Sequence, residues 1–401
     1  MLRAYKYRIY PTKLQREKIE QHFGCCRYIY NWALAEKIKA YKETGKSPHR
    51  FELQKQLLPM KKSEELKWLS DVNPHSLQNS LLNLESAYTN FFRRAKKGET
   101  SGFPKFKSKH KKQSYQCPDG SKVCFMSGTI SLRRIKNIRC EFSRTFDGRI
   151  KTVTVSRVSS GKYFVSILVD TGIQEPIAPM PVKETAIGID LGLIHFATLS
   201  TGEKIDNPRY LKKHLDKLKF LQRRGSRKVK GSNNRRKHNR RIASAYEKVS
   251  NCRQDFLHKL STRLVRENQT DTICVEDLNI SGMLSNHKLA QGISDVSWGE
   301  FMRQLEYKAR WNGKNLIKCD RWDATSKTCS CGTVNIALKL SDRNWTCLAC
   351  GITHDRDVLA ANNVITMAFK KLKVPEGIGE LTPVEIGALT SGLRSRKHSV
   401  I

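Results

Sequence analysis

Seven side chains in this 401-residue sequence have the types and spacing to hold metal ions. Four are cysteines, Cys329, Cys331, Cys347 and Cys350, arranged as C-x-C and C-x2-C with fifteen residues between the pairs. Four thiolates offered by two tight turns can close a tetrahedral Zn²⁺ site. Gly332 and Gly351 follow the pairs, as tight knuckle turns prefer. The first pair is one residue shorter than the usual spacing, so its bite is tight. Three more are carboxylates: Asp190 in AIGIDLG, Glu276 closing TICVE, and Asp357 in HDRDVLAANNV. The first two belong to apolar runs that read as buried strands, where an unpaired carboxylate is costly and a cation partner is expected. The third stands where a helix is expected to begin. Three carboxylates with waters suit Mg²⁺. Two such ions would activate a water and stabilise a leaving 3′ oxygen in phosphodiester hydrolysis.

These residues must be positioned by elements the sequence also announces. Residues 3–10 alternate, with Tyr5, Tyr7 and Ile9 on one face, and predict a half-buried strand. Thr12 with Gln15 reads as a capping box opening a helix. Helical patterning continues to about residue 97, with breaks near Gly45–Pro48 and Asn73-Pro74. Residues 98–122 read as a basic loop, and 123–170 as strands, with Tyr163, Val165, Ile167 and Val169 alternating. A helical block is thus inserted into a β domain. A proline-containing linker, Gln174–Pro181, precedes a second region. There, strands are expected within 185–206, at 272–276 and at 315–319. A long basic helical stretch is interrupted near Gly231–Asn234 and carries a packed face of Tyr246, Val249, Phe256, Leu260 and Leu264. Further helices are expected at 297–311 and from the cysteine knuckle to about Leu372. The remaining cysteines, Cys25, Cys26, Cys117, Cys124, Cys140, Cys252, Cys274 and Cys319, read as packing residues.

Composition narrows the class of partner. Lys and Arg number 74 against 37 acids, a formal net charge of +37, while 38% hydrophobic residues suffice for real cores. The charge is blocky: Leu211–Arg241 holds fourteen bases and one acid, and Phe91–Tyr115 holds nine bases, one acid and five aromatics. Bases neutralise phosphates and aromatics stack on nucleobases, so nucleic acid is the expected partner. The candidate contacts are Arg93, Arg94, Lys105, Lys107, Arg223, Arg224, Lys228, Arg235, Arg236 and Lys237. No apolar run reaches the length of a membrane span, no signal-like apolar region opens the chain, and twelve cysteines are too sparse for a disulfide scaffold. A reducing, membrane-free setting, the prokaryotic cytosol or nucleoid, is expected. Nothing in the sequence selects monomer or dimer.

The segments HFGCCRYIYNWAL, GFPKFKSK, GIDLGLIHFATLSTGE, KGSNNRRK, VEDLNI, TSKTCSCG, WTCLACG and HDRDVLAANN occur in one order over residues 1–365. In them the sequence resembles TnpB, the family of RNA-guided nucleases encoded by insertion sequences and related to type V CRISPR effectors. The resemblance implies a multidomain α+β chain. A wedge-like β-barrel domain (1–10 and 118–174) would be split by a helical recognition domain (11–117). A RuvC-like nuclease domain of RNase H fold (183–324 and 353–372) would follow, interrupted by a zinc ribbon that handles target nucleic acid (325–352), with a flexible tail (373–401). By motif match, Asp190, Glu276 and Asp357 would be the catalytic carboxylates. Asp357 is preferred to Asp355 because the family places the acid two residues before Asn-Ala-Ala, although Leu359 stands here where Asn is usual.

The implied cofactors are two catalytic Mg²⁺, one structural Zn²⁺ and a guide RNA transcribed from the element end. The implied target is double-stranded DNA, selected by guide pairing beside a short flanking motif. Asn73–Asn83 is the candidate helix for reading that motif. Block 211–241 would lie along RNA or heteroduplex backbone, and 91–115 along RNA or the duplex near the motif. The alternatives are an RNA-guided repressor that does not cut, a strand-transfer transposase that needs no RNA, and a basic RNA-packaging protein indifferent to its carboxylates.

Overall fold

The computed structural model describes residues 1–266, 270–321, 323–339 and 342–372, and the expected tail at 373–401 lies outside them. Two compact units emerge, one of residues 1–174 with 225–244, the other of 175–224 with the rest.

In the first unit, strand β1 (Leu2–Tyr10) leads into α1 (Lys13–Thr44). The Thr12 hydroxyl accepts from the Gln15 amide and the Gln15 side chain accepts from the Thr12 amide, a complete capping box. Gly45, at φ 68°, ends the helix in the left-handed region. Helices α2 (Arg50–Lys62) and α3 (Pro74–Lys96) follow, the latter capped by the buried Asn73 side chain. Then come β2 (Gln113–Cys117), β3 (Lys122–Cys124), β4 (Thr129–Leu132), β5 (Ile135–Glu141), β6 (Arg149–Arg157) and β7 (Tyr163–Asp170). They form a seven-stranded sheet in the order β2-β6-β7-β1-β5-β4-β3. Val165, Ile167 and Val169 point into a core shared with Ile19, Phe23, Ile29 and Leu34 of α1.

Two expectations are corrected here. The sheet is open, since its outer strands β2 and β3 are not paired with each other among the described residues, so there is no closed barrel. The outer strand β3 pairs on one side only, with β4, and the outer strand β2 on one side only, with β6. The segment Gln113–Cys117, expected to be loop, is a strand: it pairs along its length with β6 and buries Tyr115 and Cys117. Its sequence, QSYQC, is too polar to announce this.

In the second unit, β8 (Ala186–Asp190), β9 (His195–Leu199) and β10 (Lys204–Asp206) run antiparallel in turn. Helices α4 (Tyr210–Ser226) and α5 (Asn233–Arg266) follow in the chain, their stretch 225–244 counting with the first unit; the break between them covers 227–232, so Gly231 and Ser232 fall in it as expected while Asn233 and Asn234 open α5. Then come β11 (Thr272–Val275), α6 (Ile280–Met283), α7 (His287–Val296), α8 (Trp298–Trp311) and β12 (Asn315–Lys318). The hairpin β13 (Asn344–Thr346) and β14 (Thr353–Asp355) precedes α9 (Arg356–Leu372). The sheet order is β10-β9-β8-β11-β12, with β11 parallel to both β8 and β12. On α5, Val249, Leu257, Leu260 and Leu264 are buried, whereas Tyr246 is exposed and its hydroxyl accepts from Gln222. No described helix is long and apolar enough to cross a membrane. Of the eight cysteines outside the knuckle, six are buried as expected, but Cys124 is exposed and Cys252 half-buried.

Candidate functional site

In the order β10-β9-β8-β11-β12 the strands run backward along the chain as far as β8 and forward from β11, so the strand order reverses between β8 and β11, which are parallel. Sites in such sheets form beyond the carboxyl ends of the strands at this switch. Ile189 is in register with Val275, so Asp190, the last residue of β8, stands beside Glu276, the first residue after the parallel β11. Successive strand residues alternate in facing, so Asp190 shares a face with Gly188. A Cβ on Gly188 would overlap the Ala361 carbonyl oxygen of α9, so this glycine lets the helix lie directly on the strand. Asp357 lies one helical turn before Ala361, which carries it over the same strand end.

The three carboxylates therefore line one cavity of about 540 Å³. All are half-buried. Burial, then the charges of Glu276 and Asp357, push the Asp190 carboxyl up to about 8, against the opposing pull of Arg356 and Arg343. Burial raises Glu276 as well, while the Thr325 hydroxyl, 2.6 Å away, donates to Glu276 Oε1 and opposes the rise. Arg343 lies 3.2 Å from Asp357 Oδ1, and Arg321 pairs with Asp277 at 3.0 Å on the same rim. An all-oxygen donor set in which two carboxylates disfavour ionisation of the third fits Mg²⁺. Among the described residues, however, it is the cysteines and not these carboxylates whose donor atoms all lie within 4.8 Å of one another.

The structure separates Asp355 from Asp357. Asp355 Oδ1 accepts from the amides of Asp357 and Val358 at 3.1 Å and so caps α9, and its other oxygen pairs with Lys204 at 2.6 Å. Asp357 faces the cavity and Asp355 is not among its lining residues.

Cys329 Sγ lies 3.5 Å from Cys350 Sγ, and Cys331 Sγ 3.7 Å from Cys347 Sγ. Zn–S bonds of about 2.3 Å in a tetrahedron require sulfurs about 3.8 Å apart, so the four residues fit Zn²⁺ even with the short first turn. Hydrogen bonding with Thr333 pulls the Cys331 thiol down to about 6. Leu359 is buried with Cys329, Cys347, Leu338 and Trp345, so the residue that departs from the family pattern packs the knuckle against α9. The Asn363 side chain donates to the Thr325 and Thr328 carbonyls, pinning the knuckle's first turn to the same helix.

Sequence reasoning missed Thr325, Arg343 and Asn363, together with His354, whose Nε2 lies 3.0 Å from Cys329 Sγ. Single polar residues carry no periodic signal, but Thr325, His354 and Asn363 stand inside the quoted segments TSKTCSCG and HDRDVLAANN, which could have drawn attention to them; Arg343 lies in none.

The basic candidates divide by their surroundings. Arg93, Arg94 and Lys105 are exposed at the end of α3 and the loop after it. Lys107 is exposed as well, but its ammonium sits 3.9 Å from the Tyr30 ring centre and its backbone exchanges two hydrogen bonds with the Asn31 side chain. Arg223 and Arg224 are exposed on α4, with Arg224 over the Phe220 ring. Arg235 donates to the Lys228 carbonyl and closes the turn before α5, whereas Arg236 and Lys237 are exposed.

Three family models match the chain: one described as a probable transposase over residues 166–287, a helix-turn-helix domain over 1–46, and a Cas12f1-like TNB domain over 298–364. A Streptomyces pristinaespiralis protein named "Putative RNA-guided DNA endonuclease" is 40% identical over 94% of this chain and 92% of its own length. "Putative RNA-guided DNA endonuclease InsQ" of Escherichia coli strain K12 is 30% identical over 96% of both. Among solved structures, a Cas12f1–sgRNA–target DNA complex aligns over 91% of this chain and 98% of its own, at 13% identity and a TM-score of 0.47.

Proposed function

The chain belongs to the TnpB family, and on that premise we propose that it is an RNA-guided endonuclease that cuts double-stranded DNA beside a short flanking motif. The carrying observation is the shared cavity of Asp190, Glu276 and Asp357 at the strand ends of the second unit, read here as a RuvC-like site of RNase H fold. These three residues would hold two Mg²⁺ ions. Bound there, the ions would supply an activated water and a counter-charge for the leaving 3′ oxygen.

The chain's own groups have separate tasks. Thr325 holds one Glu276 oxygen and so fixes how that carboxylate faces the cavity. Asp355 keeps α9 capped and thereby sets where Asp357 begins. Cys329, Cys331, Cys347 and Cys350 would hold one Zn²⁺, keeping the knuckle folded against Leu359 at the cavity's edge. In this reading the exposed bases Arg93, Arg94, Lys105, Arg223, Arg224, Arg236 and Lys237 contact nucleic-acid backbone, and a guide RNA from the element end supplies sequence recognition.

The test is cleavage of target DNA by the protein with its copurified RNA and Mg²⁺, using Asp190→Ala as control. Guide-dependent cutting that the variant and EDTA both abolish is the expected result. Target binding without cutting would replace the endonuclease by a repressor, and target binding that survives RNase treatment would point to a strand-transfer enzyme.

A further inference from the structure

At the end of α3 the first unit exposes aromatic rings where a soluble surface would carry polar side chains. Phe92, Phe103 and Phe106 are 60%, 45% and 55% exposed. Phe92 and Phe103 form a built arrangement with two inner rings, and Phe106 follows three residues later in the same loop. The Phe103 ring stands edge-on to Tyr88 and Phe91, with centroids 5.5 Å away in each case, and so docks its loop onto the helix. Phe92 lies nearly parallel to Tyr88 at 6.2 Å and edge-on to Phe91 at 5.1 Å. The inner rings hold the outer ones in place, leaving the outer ones bare. Arg93, Arg94 and Lys105 flank them, all exposed, and Glu99 is the only acid between Phe91 and Tyr115.

Apolar rings ringed by cations suit a ligand that is flat and apolar at one place and anionic at the next. Nucleotides meet this description, provided their bases are unpaired. A duplex hides its base faces by stacking. DNA that arrives double-stranded presents none until it is opened, whereas a folded RNA presents unpaired loop bases at all times. We propose that Phe92, Phe103 and Phe106 form a stacking platform for unpaired bases of an RNA, with Arg93, Arg94 and Lys105 holding the adjoining phosphates. The proposal rests on the reading of this chain as an RNA-guided protein and names the part of the RNA that this surface takes.

The experiment measures binding of the RNA-free full-length protein to a labelled single-stranded RNA, to the same RNA closed into a perfect duplex, and to a single-stranded DNA of the same sequence. For Phe92→Ala/Phe106→Ala, single-stranded RNA affinity is expected to fall about tenfold or more, in line with the loss of base–aromatic stacks. Duplex affinity and the salt slope should hold, because no charge is removed. Phe92→Trp/Phe106→Trp should restore binding, which separates lost stacking from lost folding. An equal loss on duplex, unchanged single-stranded binding, failure of the tryptophan variant to rescue, or a loss confined to the DNA would each overturn the platform. None of these outcomes touches the nuclease reading, which the Asp190→Ala cleavage assay decides separately.

Discussion

At Asp190 two effects act in the same direction. Burial disfavours the charged carboxylate, and Glu276 and Asp357 repel it, which together place its pKa near about 8. Without divalent ions the fold therefore prefers a neutral Asp190. The penalty for ionising it begins as pH rises through the unfolded value of about 3.9 and is complete above about 8. Stability of the metal-free protein should fall across this window, and Mg²⁺ should restore more of it at the upper end. Melting temperatures with and without Mg²⁺ at several pH values check this; a Mg²⁺ effect independent of pH would contradict it. Asp355 and Asp357 make a sharper pair. Asp355→Ala removes a helix cap and should cost about 1 kcal/mol in denaturant titrations. Asp357→Asn should leave stability within about 0.5 kcal/mol and lower the cleavage rate about a thousandfold or more.

At the scale of elements, the site depends on how closely α9 lies on β8. Gly188→Ala places a methyl group into the Ala361 backbone carbonyl, which no side-chain rotation relieves. It should destabilise the second unit by about 3 kcal/mol or prevent its folding, as seen by thermal melting. The knuckle is the second dependent element. Elemental analysis should find one Zn²⁺ per chain, and Cys347→Ser should abolish it; less than about half an equivalent in the unaltered protein would count against the site. Because Leu359 and Asn363 both bind the knuckle to α9, metal loss should also loosen the helix that carries Asp357, read as faster amide exchange along α9.

For the whole molecule, the net charge of +37 makes nucleic-acid affinity a steep function of salt. Arg236→Gln and Lys237→Gln should each lower the slope of log affinity against log salt by about one if each meets a phosphate. Lys107→Gln should leave the slope unchanged, because its ammonium is held against Tyr30. A flat salt plot would mean that binding is not driven by phosphates at all.

The local periods of the chain sufficed for much of this. Alternation marked β1 and β7, a continuous apolar run marked β8, the Thr12–Gln15 box marked the start of α1, and carboxylates closing apolar runs marked Asp190 and Glu276, because such groups are costly without a cation. These patterns depend on neighbours a few residues away. What brings residues 190, 276 and 357 to one cavity is the parallel register of β8 with β11 and the contact of Gly188 with Ala361, pairings between segments more than eighty residues apart. Long-range packing also set the Lys107 ammonium beside Tyr30, drew Gln113–Cys117 into the sheet and left that sheet open, whereas the cap that Asp355 provides is local, made to amides two and three residues on. Backbone pairing and close approach belong to two distant segments jointly, and neither segment's residue pattern contains the other's position.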